Sequence, residues 1–281
     1  MKFLILGVGF LGSKLLNDLS DNFDAIGADI KPKNIVVKKI DATIPLEIEN
    51  FLMQEAPDVV INTIALSSYY ACEKDPGLCR KLNFESAKNI AKACRKVNAK
   101  MVFISSSYVF DGSKGEYLET DVPNATTQYA LSKIDAEKEV LKLNNSIVLR
   151  FEPIYGIDVY SKNIVFGTNT FQSEVNVAFP NLLRRPIFIN DVASIITLLI
   201  RKNKQGIFNV AGGSTLKWLN FLNHLASLEN TEDKIKTVDN ASWMLSPPYN
   251  TSLNTEKIIL LGAKITGFQQ ALKIIKKEDS F

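Results

Sequence analysis

Histidine and cysteine, the residues of most metal sites and disulfide frameworks, are scarce in this 281-residue sequence. It holds one histidine, His224, and three cysteines, Cys72, Cys79 and Cys94. The cysteines are odd in number and lack the paired short spacings of zinc sites. We therefore expect buried, reduced thiols and no bound metal.

Long apolar runs and an excess of charge of one sign are also lacking. No stretch approaches the roughly 18 consecutive apolar residues that a membrane-spanning helix needs. The 33 basic and 30 acidic residues leave a net charge of +3, and the basic side chains are scattered along the chain. These features predict a cytoplasmic protein whose partner is a small molecule, with no nucleic-acid or membrane binding. A homodimer is compatible with them.

Short apolar runs that alternate with helical stretches fill the first half of the sequence. Apolar runs lie at 3–6, 59–64 and 101–105, and a helical stretch follows the first of them at about 10–19. Runs that are apolar throughout are typical of parallel strands buried on both faces. The sequence thus predicts an α/β fold with a doubly wound, Rossmann-like parallel sheet. A further short strand is expected at 35–37.

A glycine pattern follows the first predicted strand. Gly7, Gly9 and Gly12 have the spacing Gly-x-Gly-x-x-Gly, with Phe10 and Leu11 between the last two. Where a strand leads into a helix, the first glycine allows a tight turn and the second lets a pyrophosphate approach the backbone. The third lets helix and strand pack closely. We therefore expect a dinucleotide cradle here.

Two acidic residues follow where the adenosine half of a dinucleotide would bind. Asp29 closes the next predicted strand, 17 positions after Gly12, close to where a carboxylate accepts hydrogen bonds from the ribose. It favours NAD slightly over NADP, although Lys31 and Lys33 could instead receive a 2′-phosphate. Asp41 has two readings that stay equally open, contact with the adenine amine or a cap on the helix that follows.

Tyr129 and Lys133 lie four residues apart in a predicted helix, so their side chains share one face. A phenol with its ordinary pKa near 10 is a poor acid at neutral pH, and a nearby ammonium lowers that pKa. Three serines at 105–107 end a strand, where a hydroxyl can hydrogen-bond a reacting carbonyl. Taken alone, this pattern is as typical of an exposed tyrosine–lysine pair beside a serine-rich loop. Together with the glycine pattern it indicates a nicotinamide-dependent reductase.

Several motifs together resemble the extended short-chain dehydrogenase/reductases, and among them the dTDP-4-dehydrorhamnose reductases. They are Ile104 to Gly112, Tyr129-x-x-Ser132-Lys133, Leu149-Arg150 and Tyr155-Gly156. The likeness extends over nearly the whole chain and implies the NAD(P)H-dependent reduction of a 4-keto-6-deoxy sugar nucleotide. It also implies the catalytic roles, with Ser106 as the hydroxyl that steadies the carbonyl, Tyr129 as the proton donor and Lys133 as its partner.

Other positions depart from that resemblance. Ser107 and Tyr70 stand where the family usually has aspartate, and Pro247-Pro248 replaces an Arg-Pro that helps to hold the sugar nucleotide. Two alternatives stay open. One is a sugar-nucleotide epimerase or dehydratase that keeps its NAD tightly bound. The other is a non-catalytic regulatory subunit on the same fold, as the resemblance to the beta subunit of methionine adenosyltransferase allows.

These motifs also set the expected domain boundaries and cofactor site. Residues 1–155 with 186–212 are expected to form the dinucleotide-binding domain, and residues 156–185 with 213–281 a small C-terminal substrate lobe. An apolar helical stripe that starts at Trp218 is expected in the core of that lobe. The expected cofactor-binding residues are Gly7, Gly9, Phe10, Leu11, Gly12, Asp29, Asp41, Ala65, Tyr129 and Lys133.

Overall fold

A parallel β-sheet forms the centre of the protein. The computed structural model describes residues 1–32, 36–167, 169–171, 176–238 and 247–278. The strands within these residues are β1 (Lys2–Leu6), β2 (Asp24–Asp29), β3 (Lys38–Lys39), β4 (Val59–Asn62), β5 (Lys100–Ser106), β6 (Ser146–Phe151), β7 (Ile154–Ile157), β8 (Ile164–Phe166), β9 (Asn169–Thr170), β10 (Asn176–Ala178), β11 (Leu183–Arg184), β12 (Ile187–Phe188), β13 (Gly206–Val210), β14 (Leu216–Lys217) and β15 (Ile235–Thr237). Of these, seven form the central sheet in the order β13-β6-β5-β4-β1-β2-β3.

The order of the strands shows where a ligand can bind. From β1 the chain runs outward through β2 to β3, then returns to β4 on the other side of β1 and continues to β5 and β6, with every neighbouring pair parallel. The reversal between β1 and β4 is a topological switch point. In such sheets, ligands bind beyond the carboxyl ends of the strands at that point. The predicted doubly wound, Rossmann-like fold is confirmed.

Helices cover both faces of this sheet. The helices of the described residues are α1 (Phe10–Ser20), α2 (Pro45–Glu55), α3 (Tyr69–Lys74), α4 (Pro76–Arg80), a π-helical turn (Lys81–Glu85), α5 (Ser86–Val97), α6 (Gln128–Val140), α7 (Val192–Arg201), α8 (Trp218–Glu229), α9 (Glu256–Leu260) and α10 (Phe268–Glu278). Leu52, Ile90 and Val140 of α2, α5 and α6 pack on one face. Leu15 and Ile196 of α1 and α7 pack on the other. The residues of β4 and β6 are therefore buried at every position.

The third strand differs from its prediction. The apolar run expected as a strand includes Val36 and Val37, which form a turn and bend, while Ile35 lies outside the described residues. The strand itself is β3, which pairs only with Ala28 and Asp29 at the sheet edge. Val37 is buried beneath the sheet edge without joining the ladder. Its apolar character therefore reflects burial and not strand pairing.

A second, smaller lobe adjoins the central sheet. The strands β12, β7, β8 and β9 form a separate sheet, and an aromatic cluster joins it to α8 and α10. Tyr155 packs against Phe221 with ring centroids 5.1 Å apart and against Phe268 at 5.9 Å. Phe221 and Ile275 are fully buried in this cluster. The cluster fixes α8 and the loops around it beside the carboxyl ends of the central strands.

No group of three or more histidine, cysteine or acidic side chains in the described part of the chain could hold a metal ion. Cys72, Cys79 and Cys94 are buried free thiols. Across the same residues, none of the helices has both the length and the apolar composition that a membrane crossing demands.

Candidate active site

The glycine turn between β1 and α1 has the tight geometry that the sequence predicted. Gly7 has φ of +91°, and a Cβ atom there would lie 2.9 Å from the backbone nitrogen of Ile64. A Cβ atom on Gly12 would lie 1.9 Å from the carbonyl oxygen of Gly7, so no larger residue fits. Gly9 has open space on its Cβ side, with no heavy atom of the described residues within 4 Å. A diphosphate can therefore approach the backbone at Gly9, and the residues present fit a dinucleotide.

Two adjoining cavities lie at the switch point, and each predicted site residue lines at least one of them. The larger has a volume of about 450 Å³ and the smaller about 250 Å³, and Gly9, Thr63 and Ala65 belong to the walls of both. The predicted residues in the smaller cavity are Gly7, Gly9, Asp29, Asp41 and Ala65. Those in the larger cavity are Gly9, Phe10, Leu11, Gly12, Ala65, Ser106, Tyr129 and Lys133.

Asp29 and Asp41, in the smaller cavity, both accept hydrogen bonds from the chain itself. Asp29 accepts the N–H of Val8 at 2.7 Å and the N–H of Lys31 at 2.9 Å, which ties the end of β2 to the glycine turn. Asp41 accepts the N–H and the hydroxyl of Thr43 at 2.9 and 2.7 Å, and so forms the turn before α2. A local turn role for Asp41 is therefore present, and its contact with adenine stays a prediction. Lys33 lies outside the described residues.

Tyr129 is held in the first turn of α6, against the larger cavity. The side chain of Thr127, the residue before the helix, accepts the N–H of Ala130 at 3.3 Å. The Glu73 carboxylate accepts the N–H of Gln128 at 2.7 Å, so both contacts fix the start of the helix. The Tyr129 ring is buried, and burial raises the pKa of its hydroxyl well above the ordinary value. The neighbouring Ser106 hydroxyl lowers that pKa in part.

Lys133 lies one turn further along α6 and is also buried. Its Nζ donates to the carbonyl oxygen of Ile104 at 3.0 Å and lies 4.9 Å from the ring centroid of Phe103. Burial lowers the pKa of the ammonium to about 8. The predicted tyrosine and lysine thus face the same cavity. In this arrangement Ser106 lies beside the phenol, while the amine donates to the backbone of the serine-bearing strand.

The three serines at the end of β5 have separate partners. Ser106 faces Tyr129, and its Oγ also accepts the N–H of Tyr108 at 3.2 Å. The Ser105 hydroxyl donates to Glu137 at 2.5 Å, on the side of the strand where Glu137 pairs with Arg150. The Ser107 hydroxyl donates to Thr251 at 3.3 Å. The opposite directions of Ser105 and Ser106 follow from the alternation of side chains along β5, whereas Ser107 lies beyond the end of the strand.

Thr63 is a site residue that the motifs did not indicate. It follows β4, and its hydroxyl donates to the carbonyl oxygens of Leu6 and Gly7, so it fixes the glycine turn from the neighbouring strand. It lines both cavities. The only signal in the sequence is a position after an apolar strand, which many residues share. Spacing along the chain could not have found it, because its partners are more than 50 residues away.

The second lobe supplies the far wall of the larger cavity. Trp218 stacks on Phe221, with ring centroids 4.8 Å apart, and also lines the cavity, so the predicted core residue borders the site as well. Asn169 lines the same cavity, and so does Glu152, which no motif indicated. Of the positions that depart from the family pattern, Ser107 lines the cavity, whereas Tyr70 is 67% exposed and does not belong to its wall.

The switch-point cleft, the glycine turn and the buried phenol and amine together define the class of protein. The chain is an NAD(P)-dependent oxidoreductase of the extended short-chain dehydrogenase/reductase type. A family model described as the RmlD substrate binding domain matches residues 1–280, and the chain belongs to that family.

Individual relatives agree with the family. The chain is 27% identical to the dTDP-4-dehydrorhamnose reductase of Aggregatibacter actinomycetemcomitans, with 98% of both chains covered. It is also 27% identical to methionine adenosyltransferase 2 subunit beta of Bos taurus, with 76% of this chain and 68% of the relative covered. Among solved structures, the dTDP-4-dehydrorhamnose reductase of Bacillus anthracis in complex with NADP superposes with a TM-score of 0.85. That match has 23% identity and covers 99% of this chain and 100% of the other.

Proposed function

We propose that the protein reduces the ketone of a 4-keto-6-deoxy sugar nucleotide, with NADH or NADPH as the reductant, as dTDP-4-dehydrorhamnose reductases do. The observation that carries the proposal is the meeting of Ser106, Tyr129 and Lys133 in the wall of one cavity that adjoins the glycine turn. The relatives named for this activity support the substrate class. A bound nicotinamide dinucleotide supplies the hydride for the reduction.

The buried phenol is suited to the reductive direction. Burial raises the pKa of Tyr129, so its hydroxyl is protonated at neutral pH. It can give that proton to the substrate oxygen once hydride transfer makes that oxygen an alkoxide, which is a stronger base than the phenolate. The neighbouring Ser106 hydroxyl orients the same oxygen. Lys133, with a pKa of about 8, carries its charge at pH 7 and balances the phenolate left after proton transfer.

The chain residues expected to hold the dinucleotide divide between the two cavities. Gly7, Gly9 and Gly12 would hold the diphosphate, and Asp29 and Asp41 would face the adenosine. Since Asp29 lies at the end of β2, where a carboxylate accepts hydrogen bonds from the ribose, NAD is slightly favoured. The Bacillus anthracis relative binds NADP. Competitive titration of the two dinucleotides measures the preference of this chain.

The sugar is expected to bind between the domain formed by residues 1–155 with 186–212 and the lobe formed by 156–185 with 213–281. Support comes from Trp218 and Asn169, which line the larger cavity from the second lobe, opposite Tyr129. An indole beside a cavity of this kind can pack on the apolar face of a sugar ring. The proposal extends to a cytoplasmic protein, with a homodimer to be tested by its mass in solution at several concentrations.

Turnover with defined substrates tests the proposed function. The purified protein is mixed with NADH or NADPH and dTDP-4-dehydrorhamnose, with the UDP- and GDP-linked ketosugars as comparisons. We expect one equivalent of reduced dinucleotide to be consumed for each ketosugar reduced. Conversion of the sugar without net consumption would instead indicate an epimerase or dehydratase that recycles its dinucleotide. Absence of turnover with every ketosugar would contradict the proposal.

A second function is favoured by one observation, the similarity to methionine adenosyltransferase 2 subunit beta. In that case the chain would be a regulatory subunit that binds a dinucleotide without turning it over. Binding of NAD or NADP without any ketosugar reduction, together with a change in the activity of an added methionine adenosyltransferase, would support this function over the first.

A further inference from the structure

A buried carboxylate in the wall of the larger cavity has no part in the mechanism above. Glu152 directly follows β6 and is 1% exposed. Its backbone N–H donates to the carbonyl oxygen of Val210 at 3.1 Å, which anchors the residue to β13. A charged group this deeply buried is costly unless donors and a counter-charge surround it. The groups that contact Glu152 therefore indicate its role.

The contacts around Glu152 come from three separate segments. The backbone N–H of Arg185 donates to Oε2 at 2.6 Å, and the Thr251 hydroxyl donates to Oε1 at 3.0 Å. The Ser107 hydroxyl donates in turn to the Thr251 oxygen at 3.3 Å. Arg185 lies between β11 and β12, and Thr251 lies between α8 and α9. One carboxylate thus joins two segments outside the dinucleotide cradle to the end of β5.

A buried positive charge completes this network. Arg184 is 1% exposed and acts electrostatically on Glu152. The Arg184 guanidinium donates to the carbonyl oxygens of Tyr249 at 3.0 Å and Pro248 at 2.6 Å, which holds the segment around Thr251 in place. Its Cζ also lies 5.4 Å from the ring centroid of Tyr108. The network therefore touches both residues that follow Ser106 in the chain, Ser107 and Tyr108.

We infer that Glu152 is a positioning residue for the reduction, which holds the end of β5 so that the Ser106 hydroxyl stays beside the Tyr129 hydroxyl. This inference rests on the proposed function. The carboxylate acts through Thr251 on Ser107, the neighbour of Ser106. It also holds Arg185, so the chain before β12 and the chain before α9 are fixed to the end of β6. The placement of these two segments and the alignment of the catalytic hydroxyl are thereby linked.

A carboxylate accepts from both donors at once. Glu152→Gln keeps the shape but turns an NH2 group towards one of them, the Arg185 N–H or the Thr251 hydroxyl. We expect kcat to fall by about 10- to 100-fold, the loss that a misplaced catalytic group produces. The affinity for NADH and the KM for the ketosugar should change by less than about threefold, because neither binding surface is removed.

Asp191 provides the matched control. Its carboxylate is also buried, also accepts a backbone N–H and a hydroxyl, both from Thr266, at 2.8 and 2.6 Å, and lines neither cavity. Asp191→Asn should lower Tm without lowering kcat. If Glu152→Gln lowers kcat no more than Asp191→Asn does at the same loss of Tm, Glu152 is merely structural and the inference fails.

A second pair of variants tests the network if Glu152→Gln does not fold. Thr251 is fully buried and does not line the cavity. Thr251→Val removes only the hydroxyl that donates to Glu152, and should lower kcat, whereas Thr251→Ser keeps the donor and should restore it. Equal kcat values for the two variants would overturn the inference.

Crystal structures separate this inference from the proposed function. Absence of turnover in the unaltered protein would count against the function and leave the geometry to be judged on its own. In that case, the structure of Glu152→Gln should show the Ser106 hydroxyl withdrawn from the Tyr129 hydroxyl, relative to the unaltered protein. An unchanged distance between the two hydroxyl oxygens would overturn the positioning role.

Discussion

Burial is the largest cause of the pKa shifts of Tyr129 and Lys133, the two titratable residues of the catalytic site. Sequence spacing suggested that Lys133 lowers the pKa of Tyr129. In the structure the Lys133 amine donates to the carbonyl oxygen of Ile104, and the Ser106 hydroxyl is the neighbour that lowers the pKa of the phenol. Burial raises the pKa of the phenol and lowers that of the amine, in accord with the cost of charge in a dry site. Tyr129 therefore stays protonated in the resting site and can act as the acid when negative charge develops on the carbonyl oxygen.

Removal of the phenol hydroxyl should stop the reaction and spare binding. For Tyr129→Phe we expect kcat to fall by about 100- to 10,000-fold, the usual range for loss of a general acid. The dissociation constant for NADH, measured by fluorescence, should stay nearly constant. Tyr108→Phe is the control, since its ring lies edge-on to Tyr129 with centroids 6.4 Å apart but its hydroxyl has no assigned role. Comparable losses in both variants would refute the assignment of Tyr129.

The charge on Lys133 predicts the direction of the pH dependence. Its pKa of about 8 means that the amine is charged below that pH and neutral above it. Since the charged form balances the phenolate, kcat for ketone reduction should fall as pH rises through about 8. Lys133→Arg, which stays charged, should move this descending limb to higher pH in whatever activity it retains. If the descending limb of the pH profile stays at the same pH in Lys133→Arg, a group other than Lys133 causes the loss of activity.

The site residues fall into two groups, those marked by a local sequence motif and those whose role depends on contacts with distant parts of the chain. Gly7, Gly9, Gly12, Tyr129 and Lys133 were predictable because each belongs to a local spacing with a geometric reason. Thr63 and Glu152 were not, because their partners come from distant segments and any polar residue after a strand would look the same. The hydrogen bond from the Lys133 amine to a strand carbonyl likewise depends on packing between α6 and β5 and not on spacing.

At the level of elements, the turn between β1 and α1 decides whether a dinucleotide can bind. Gly12 is filled on its Cβ side by the carbonyl of Gly7, while Gly9 has open space there. The two glycines therefore have different roles. Gly12 is needed for α1 to pack on the sheet, and Gly9 is needed for the backbone to stay accessible from the cavity. Alanine substitution separates these two requirements.

Gly12→Ala should destabilise the fold, and Gly9→Ala should spare it. The added methyl at position 12 meets backbone, which costs about 1–3 kcal/mol of unfolding free energy by analogy with overpacked cores. Gly9→Ala should leave Tm unchanged and weaken NADH binding at least about tenfold, or about 1.4 kcal/mol. Gly267→Ala, which also has open space around it, controls for the methyl alone. Full NADH affinity in Gly9→Ala would contradict the cradle.

The edge strand β3 shows where reasoning at the element level fails. An apolar run at 35–37 predicted a strand, yet the ladder contains Lys38 and Lys39 instead. Interior strands were easier to predict, since both faces of β4 and β6 are buried and their runs are apolar throughout. At the sheet edge, the buried apolar residue is Val37, but the residues that pair with β2 are Lys38 and Lys39. The apolar pattern therefore does not coincide with the strand.

Across the whole molecule, buried charges join elements that lie far apart in the sequence. Arg150 of β6 and Glu137 of α6 form an ion pair at 2.7 Å, with side chains 2% and 4% exposed. Ser105 of β5 donates to the same carboxylate, and Arg150 also donates to the carbonyl of Glu119. The Glu119 side chain in turn accepts the N–H of Asn209. The pair thus links β5, β6, α6 and β13 behind the site.

Loss of one partner should destabilise the entire protein. Arg150→Met leaves the Glu137 carboxylate buried without its cation, which costs about 3–5 kcal/mol of unfolding free energy. Denaturant unfolding measures the change. Lys142→Met is the control, because Lys142 and Glu139 form a pair in which the lysine is 62% exposed, worth at most about 1 kcal/mol. Equal losses of unfolding free energy in the two variants would show that the buried ion pair stabilises the protein no more than the exposed one.

The central sheet and its switch point were predictable because strand and helix patterns alternate regularly in the first half of the chain. The second lobe was harder, since its short strands pair across long separations and its core is a cluster of aromatic side chains from several segments. Trp218 illustrates the difference, because its helical spacing predicted core packing but could not show that the same indole borders the cavity.

Isotope transfer tests the central claim most directly. The protein is supplied with NADH that carries deuterium at the transferable position of the nicotinamide, together with dTDP-4-dehydrorhamnose. We expect the product to carry one deuterium on the carbon that was the ketone, seen by mass spectrometry and NMR, and none when Tyr129→Phe is used over the same time. A reduced product without deuterium at that carbon, or full labelling by Tyr129→Phe, would contradict hydride transfer assisted by the buried phenol.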